Sequence, residues 1–386
     1  MTTTLQIGGH VAPGFEAARA AFAENFTRPG DYQEVGAAFA AYHRGRCVVD
    51  LWGGFADRSH TRPWTRETLI NVWSATKGAT ATAVAMLVDR GLIGYGDRVA
   101  SVWPEFRQGG KGEVTLSQLV SHQAGLPGFI EPTTVQDQCD WEACCAKLAR
   151  QAPVWVPGQA TSYHAMTFGW LAGEVVRRVS GKSIGAFLRD EIAGPLGADI
   201  HIGLPLELEP RVAEMIGPKT LADTSGLPLP EAALMALSNP VQDPEAPNAR
   251  AWRAAEIPAA NGQASAMGLA RLYAALGNDG ELEGVRILSP NGARRMRAPA
   301  TTWGRQDMFL GFVDSWGMGV ALNAPGIYGD NPRAFGHSGW GGSFGCADPD
   351  LGLSIGYVCN QMGPDLVGDP RTVGLCGAVI ESAKRL

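Results

Sequence analysis

The chain has 386 residues, 45% hydrophobic and 18% charged, a balance that fits a globular protein and excludes a disordered one. Its formal net charge is -6 and it has no dense run of Lys or Arg, which argues against nucleic acid or an anionic membrane surface as a partner. Met1 to Gln6 offer neither a basic nor an apolar leader region and no stretch approaches a membrane span, so the expected location is the cytoplasm.

In chain order, Pro13 to Phe26 has helical apolar spacing, and Val35 to Tyr42 and Cys47 to Trp52 read as strands around the turn His43-Arg44-Gly45. Thr76 to Arg90 is small and apolar almost all round, the pattern of a central buried helix, with Gly91 as its stop. Thr115 and Gln118 form a capping-box pattern that opens Leu116 to His122. The pair Cys144-Cys145 sits in a helix-like stretch from Trp141 to Leu148. An odd total of seven scattered cysteines with no Cys-x-x-Cys points to reduced, structural thiols. Two further helices are predicted, Thr167 to Val179 before Gly181 and Ser183 to Ile192 before Gly194-Pro195. Near the C-terminus, Ser343 to Ala347 and Leu353 to Cys359 read as a hairpin around Pro349-Asp350-Leu351-Gly352, followed by a helix over Thr372 to Lys384.

A helix and a hairpin at each end imply an α+β fold in which both ends share one antiparallel sheet flanked by helices. The sheet domain is then discontinuous, residues 1–75 and 250–386, with a mainly helical unit inserted over 76–249.

Ser74-Ala75-Thr76-Lys77 stands at the start of the buried helix. At this spacing hydroxyl and amine share one face, and the helix N-terminus offers N–H groups to a developing oxyanion. A helix cap followed by a solvated lysine is the plainer reading. The apolar run Ala79 to Val88 opposes it, because Lys77 entering that environment favours its neutral, basic form.

Two more elements follow in order: Pro157-Gly158 leading to Tyr163-His164-Ala165, and His337-Ser338-Gly339 before Trp340-Gly341-Gly342. With Ser74-x-x-Lys77 and the stretch Leu119 to Leu126, the chain resembles the serine hydrolases with the class C β-lactamase and DD-peptidase fold, within them the family VIII carboxylesterases. The resemblance implies that Ser74 is the nucleophile and that Lys77 and Tyr163 share the proton transfers. It also implies that the N–H groups of Ser74 and Trp340 form an oxyanion hole. His337, Ser338 and Gly339 would contact substrate in the place of a Lys-Thr-Gly strand, and His164 stands beside Tyr163 as a possible pocket residue.

Two departures carry substrate information. Ala165 replaces an amide side chain, and His337, neutral at pH 7 unless an anion raises its pKa, replaces a permanent cation. Both favour a neutral small-molecule ester over an anionic β-lactam or peptide. Other acyl transfers on the same machinery (β-lactamase, D-amino-acid peptidase, amidase, transesterase) are the alternative, and a non-catalytic binding protein of this fold is a further one. Gly341-Gly342-Ser343-Phe344-Gly345 also satisfies the nucleophile-elbow pattern, but no histidine follows His337 and the segment after Ser343 reads as strand. His122, at a helix end, reads as a satisfied structural histidine. No histidine spacing suggests a metal, and no cofactor is implied. The oligomeric state is left open.

Overall fold

A computed structural model describes residues 6–220, 229–301, 304–313 and 315–386. The N-terminal leader reading rests largely on Met1 to Leu5, which lie outside the described residues. The strands are β1 (Ile7–Val11), β2 (Gly36–His43), β3 (Arg46–Gly54), β4 (Ile70–Asn71), β5 (Ile200–His201), β6 (Gln263–Ala264), β7 (Glu281–Leu282), β8 (Val285–Arg286), β9 (Ala321–Leu322), β10 (Phe335–Ser338), β11 (Phe344–Asp348) and β12 (Leu353–Cys359).

The main sheet has seven antiparallel strands in the order β1-β3-β2-β12-β11-β10-β9. Both expected hairpins are present, and the N-terminal one joins the C-terminal one through β2 and β12, with Phe39 opposite both Leu51 and Tyr357. Every residue of β2, Gly-Ala-Ala-Phe-Ala-Ala-Tyr-His, is buried, because helices cover both faces of the sheet. On one face the helices Ala17–Asn25 and Pro370–Ala383 bring Phe22, Leu375 and Val379 onto Phe39, Leu51 and Tyr357. On the other the helix Ala266–Gly277 lies so close that a Cβ on Gly356 would stand 2.2 Å from the Ala266 carbonyl oxygen.

The helical elements follow the residue pattern with local differences. The first begins at Ala17 and not Pro13, since Gly14 (φ 91°) turns the chain there. Thr115 and Gln118 make the reciprocal bonds of a capping box at the start of Leu116–Val120. The stretch from Ser183 holds only Ile184–Phe187 as regular α-helix, and Leu188–Ala193 widens into a π turn. The helix Thr76–Asp89 is buried at every residue from Thr76 to Val88.

A second sheet, β4-β6-β5, escaped the sequence reading, because two-residue strands carry no period. It fixes the chain immediately before Ser74: β4 pairs with β6, and Val72 N–H donates to the Gly262 carbonyl at 2.8 Å. All seven cysteines are free thiols, five of them buried, including Cys144 and Cys145. Among the described residues no helix is long and apolar enough to cross a membrane.

Candidate active site

Ser74 lies in a single 3-10 turn, Trp73–Ala75, that runs into the helix Thr76–Asp89. Trp73 has φ 45°, a left-handed conformation that costs a non-glycine residue on the order of 1–3 kcal/mol and persists only where the surroundings enforce it. Here they do. The Thr76 hydroxyl donates to the Trp73 carbonyl at 2.5 Å and accepts from Gly262 N–H at 2.9 Å, while the Trp73 ring is wedged between Trp252 and Trp340 at 5.6 and 5.2 Å.

Lys77 is fully buried. Its Nζ is 2.9 Å from Ser74 Oγ, 2.7 Å from the Ala165 carbonyl and 2.9 Å from the Ala259 carbonyl. Burial holds its pKa well below the usual 10.5, which favours the neutral amine. A neutral amine has two N–H groups and one lone pair. With both carbonyls taking the N–H groups, the lone pair is left for the Ser74 hydroxyl to donate to. The arrangement suits a general base.

Tyr163 reaches the same point from the chain before the helix Thr167–Ser180, and Lys77 Nζ stands 4.7 Å from its ring centre. Its hydroxyl is buried without a standard hydrogen bond. Burial pushes the phenol well above its usual 10, Ser74 opposing that rise and Asp307 adding to it. The ring stacks on Trp316 (5.4 Å between centroids, 8° between planes) and meets His122 edge-on at 5.1 Å.

Asp307 organises this wall. Its buried carboxylate accepts from the backbone N–H groups of Tyr163 (3.1 Å), Phe309 (2.9 Å) and Leu310 (2.9 Å), from the Thr161 hydroxyl (3.1 Å) and from Trp316 Nε1 (3.0 Å). The carboxylate therefore ties Tyr163 and the ring stacked on it to one anchor.

The third side is the end of β10 and the turn beyond it. A Cβ on Gly339 would fall 2.1 Å from the Val72 carbonyl, so only glycine lets this strand approach the nucleophile turn. The Gly339 carbonyl accepts from Gly342 N–H at 3.3 Å, and across a trans peptide the Trp340 N–H points the opposite way. That N–H has no acceptor among the described residues. From behind, Arg371 Nη2 donates to the Gly341 carbonyl at 2.8 Å.

His337 Nδ1 donates to the Ser338 carbonyl at 3.0 Å, and burial, reinforced by Lys77, lowers its pKa to about 3, so the ring is neutral. Ser338 Oγ is 3.4 Å from Tyr328 Oη. Ser74, Tyr163, His337, Ser338 and Trp340 line one cleft of about 520 Å³, walled by Leu310, Phe312, Leu322, Ile327, Leu366 and Val367. No Asp, Glu, Lys or Arg lines it among the described residues.

One expected pocket residue is corrected. His164 is fully buried, donates from Nδ1 to the Ser162 carbonyl (2.7 Å) and accepts at Nε2 from Leu126 N–H (3.1 Å). With both nitrogens engaged by backbone, and a pKa lowered to about 4 by burial, it braces the loop beneath Tyr163 and does not line the cleft. Ser343 is also buried: it closes the β10–β11 hairpin, its carbonyl taking Gly339 N–H at 2.6 Å, and a strand follows it where an elbow needs a helix.

The beta-lactamase family model matches residues 19–375. The chain belongs to the beta-lactamase family. "Esterase/beta-lactamase LipL" of Mycobacterium tuberculosis is 38% identical over 376 residues, covering 94% of this chain and 85% of that protein. Among solved structures, that of a family VIII carboxylesterase is 46% identical with a TM-score of 0.91, covering 98% of this chain and 100% of the other. EstA from Arthrobacter nitroguajacolicus Rue61a is 33% identical with a TM-score of 0.85, covering 98% and 99%.

This beta-lactamase-family chain is an enzyme, a serine hydrolase. In it the sequence reading missed Asp307, Trp316 and Arg371. A lone Asp in an irregular stretch and an Arg in a helix's first turn read as solvated surface; only an acid amid Met308, Phe309 and Leu310 hinted otherwise.

Proposed function

We propose that the protein is a carboxylesterase that hydrolyses neutral small-molecule esters through an acyl-enzyme on Ser74, without a cofactor. The observation that carries the reading is Lys77 Nζ, 2.9 Å from Ser74 Oγ, with its other two contacts both carbonyl oxygens. Ser74 attacks the ester carbonyl as its proton passes to Lys77. The N–H groups of Ser74 and Trp340 receive the oxyanion, and the unpaired Trp340 N–H supports that role. Tyr163, a neutral phenol beside Ser74, protonates the departing alkoxide and, once ionised, takes the proton of the water that releases the acid.

Neutral esters are favoured because no charged group among the described residues lines the cleft, His337 carries no charge, and Ala165 offers no side-chain amide to a substrate's acylamino group. A kcat/KM higher for cephalosporins than for short acyl esters would overturn this ranking.

The test is intact-mass spectrometry after an ester-like phosphonate, with p-nitrophenyl ester turnover, for wild type and Ser74→Ala. One adduct and turnover that both vanish in the variant are expected. An adduct that persists on Ser343, or no adduct and no turnover in either protein, refutes the assignment.

A further inference from the structure

Two residues that line this cleft hold a buried polar atom with no hydrogen-bond partner among the described residues: Tyr163, whose hydroxyl the proposed reaction already uses, and His337. His337 is 4% exposed and lines the cleft with Ser74 and Tyr163. Its Nδ1 faces the Ser338 carbonyl, and a carbonyl can only accept, so Nδ1 carries the proton and Nε2 is a bare acceptor. Nε2 has no hydrogen-bond partner among the described residues. Its ring is packed 6.0 Å from Tyr163 and 6.1 Å from Trp316, which leaves little room for the imidazole to turn. The low pKa keeps this acceptor unprotonated at any pH where the enzyme would work.

A lysine in this place would offer a substrate a charged donor; His337 offers a neutral acceptor. We infer that His337 Nε2 selects esters carrying a hydrogen-bond donor, a hydroxyl or an N–H a few atoms from the scissile carbonyl, such as the monoesters of a diol. A carboxylate cannot satisfy this atom, and an ester without a donor buries it unpaired, which costs affinity. The inference rests on the esterase reading and adds a substrate class to it.

The probes are 2-hydroxyethyl butanoate and 2-methoxyethyl butanoate, neutral esters that differ in the donor, with acid release measured for wild type, His337→Phe and His337→Gln. Wild type is expected to favour the hydroxy ester in kcat/KM by about tenfold, the worth of one hydrogen bond to a buried acceptor. His337→Phe should bring the ratio close to one, and His337→Gln, which keeps an acceptor, should hold part of the preference.

A wild-type ratio below about twofold overturns the inference, since a held water then satisfies Nε2 in both complexes. A preference that survives in His337→Phe overturns it too, by placing the acceptor elsewhere. If His337→Phe does not fold, the wild-type and His337→Gln ratios decide. No turnover of either ester by wild type removes the esterase reading and this inference with it, whereas equal turnover of both removes the inference alone.

Discussion

At Lys77 burial acts on both chemistry and stability. Its folded pKa lies well below 10.5, so between those values the unfolded chain binds more protons than the native one. Stability is therefore lost as pH falls from 10.5 toward the folded pKa. Lys77→Met should raise the melting temperature at pH 7 by about 2 °C or more while lowering kcat/KM at least about a thousandfold; thermal melts and ester turnover check both signs. The same shifts set the pH profile of the wild type. Activity should rise as Lys77 loses its proton, hold through the alkaline range, and fall only well above pH 10, because burial keeps Tyr163 protonated beyond its ordinary range. His337, at about 3, and His164, at about 4, are neutral throughout. An acid limb in kcat/KM that persists unchanged in Lys77→Met would assign the base to another group.

Among elements, the helix Thr76–Asp89 and strand β10 show how closely backbones must approach to assemble the site. Small residues along the helix let it run beneath its neighbours; a Cβ on Gly78 would stand 2.3 Å from the Tyr273 hydroxyl. Gly339 does the same for β10 against the turn that carries Ser74. Gly339→Ala would force the Val72 carbonyl and β10 apart, moving the Trp340 N–H away from the place proposed for the oxyanion. The expected result is a loss of about 1–3 kcal/mol in stability and of about a hundredfold in kcat from one misplaced oxyanion donor, with KM changed much less. Chemical unfolding and steady-state kinetics measure the two. Gly339, which the family resemblance assigns to substrate contact, also permits this close approach.

Across the molecule, one buried ion cluster joins the two ends of the chain behind the site. Arg371, fully buried, pairs with Glu34 at 3.0 Å and Asp369 at 2.6 Å, while the Tyr357 hydroxyl donates to Glu34. The guanidinium also holds the carbonyls of Gln361 and Gly341, the latter in the turn that presents Trp340 N–H. Burial raises Glu34 to about 8 against the pull of Arg371. Its folded pKa thus exceeds its ordinary 4.5, and its contribution to stability is full below pH 4.5 and lost as pH rises through about 8. Glu34→Gln should therefore melt within about 2 °C of wild type at pH 6 and lose less stability than wild type between pH 6 and 9. Asp369→Asn, which leaves the Arg371 charge without an anion while Glu34 is protonated, should cost about 3 kcal/mol or more at pH 6 and less at pH 9, where Glu34 ionises. Melting curves of both variants at the two pH values decide.

The features legible from the residues alone were local: the Ser74-to-Lys77 spacing at a helix start, the Thr115–Gln118 cap, both hairpins, and the small-residue helix that had to be buried. Those readings depend on residues within a turn or two of one another, where periodicity and side-chain chemistry suffice. Tyr163 and His337 stood out only through the order of three elements that together resemble a family. Tertiary structure decided the rest: that His164 faces backbone and not substrate, that Asp307 anchors Tyr163, that a two-residue strand positions Ser74, and that Arg371 braces the turn at Gly341. These contacts join residues distant along the chain, and which of them meet is set by packing two helical layers onto one sheet, a property no local pattern encodes.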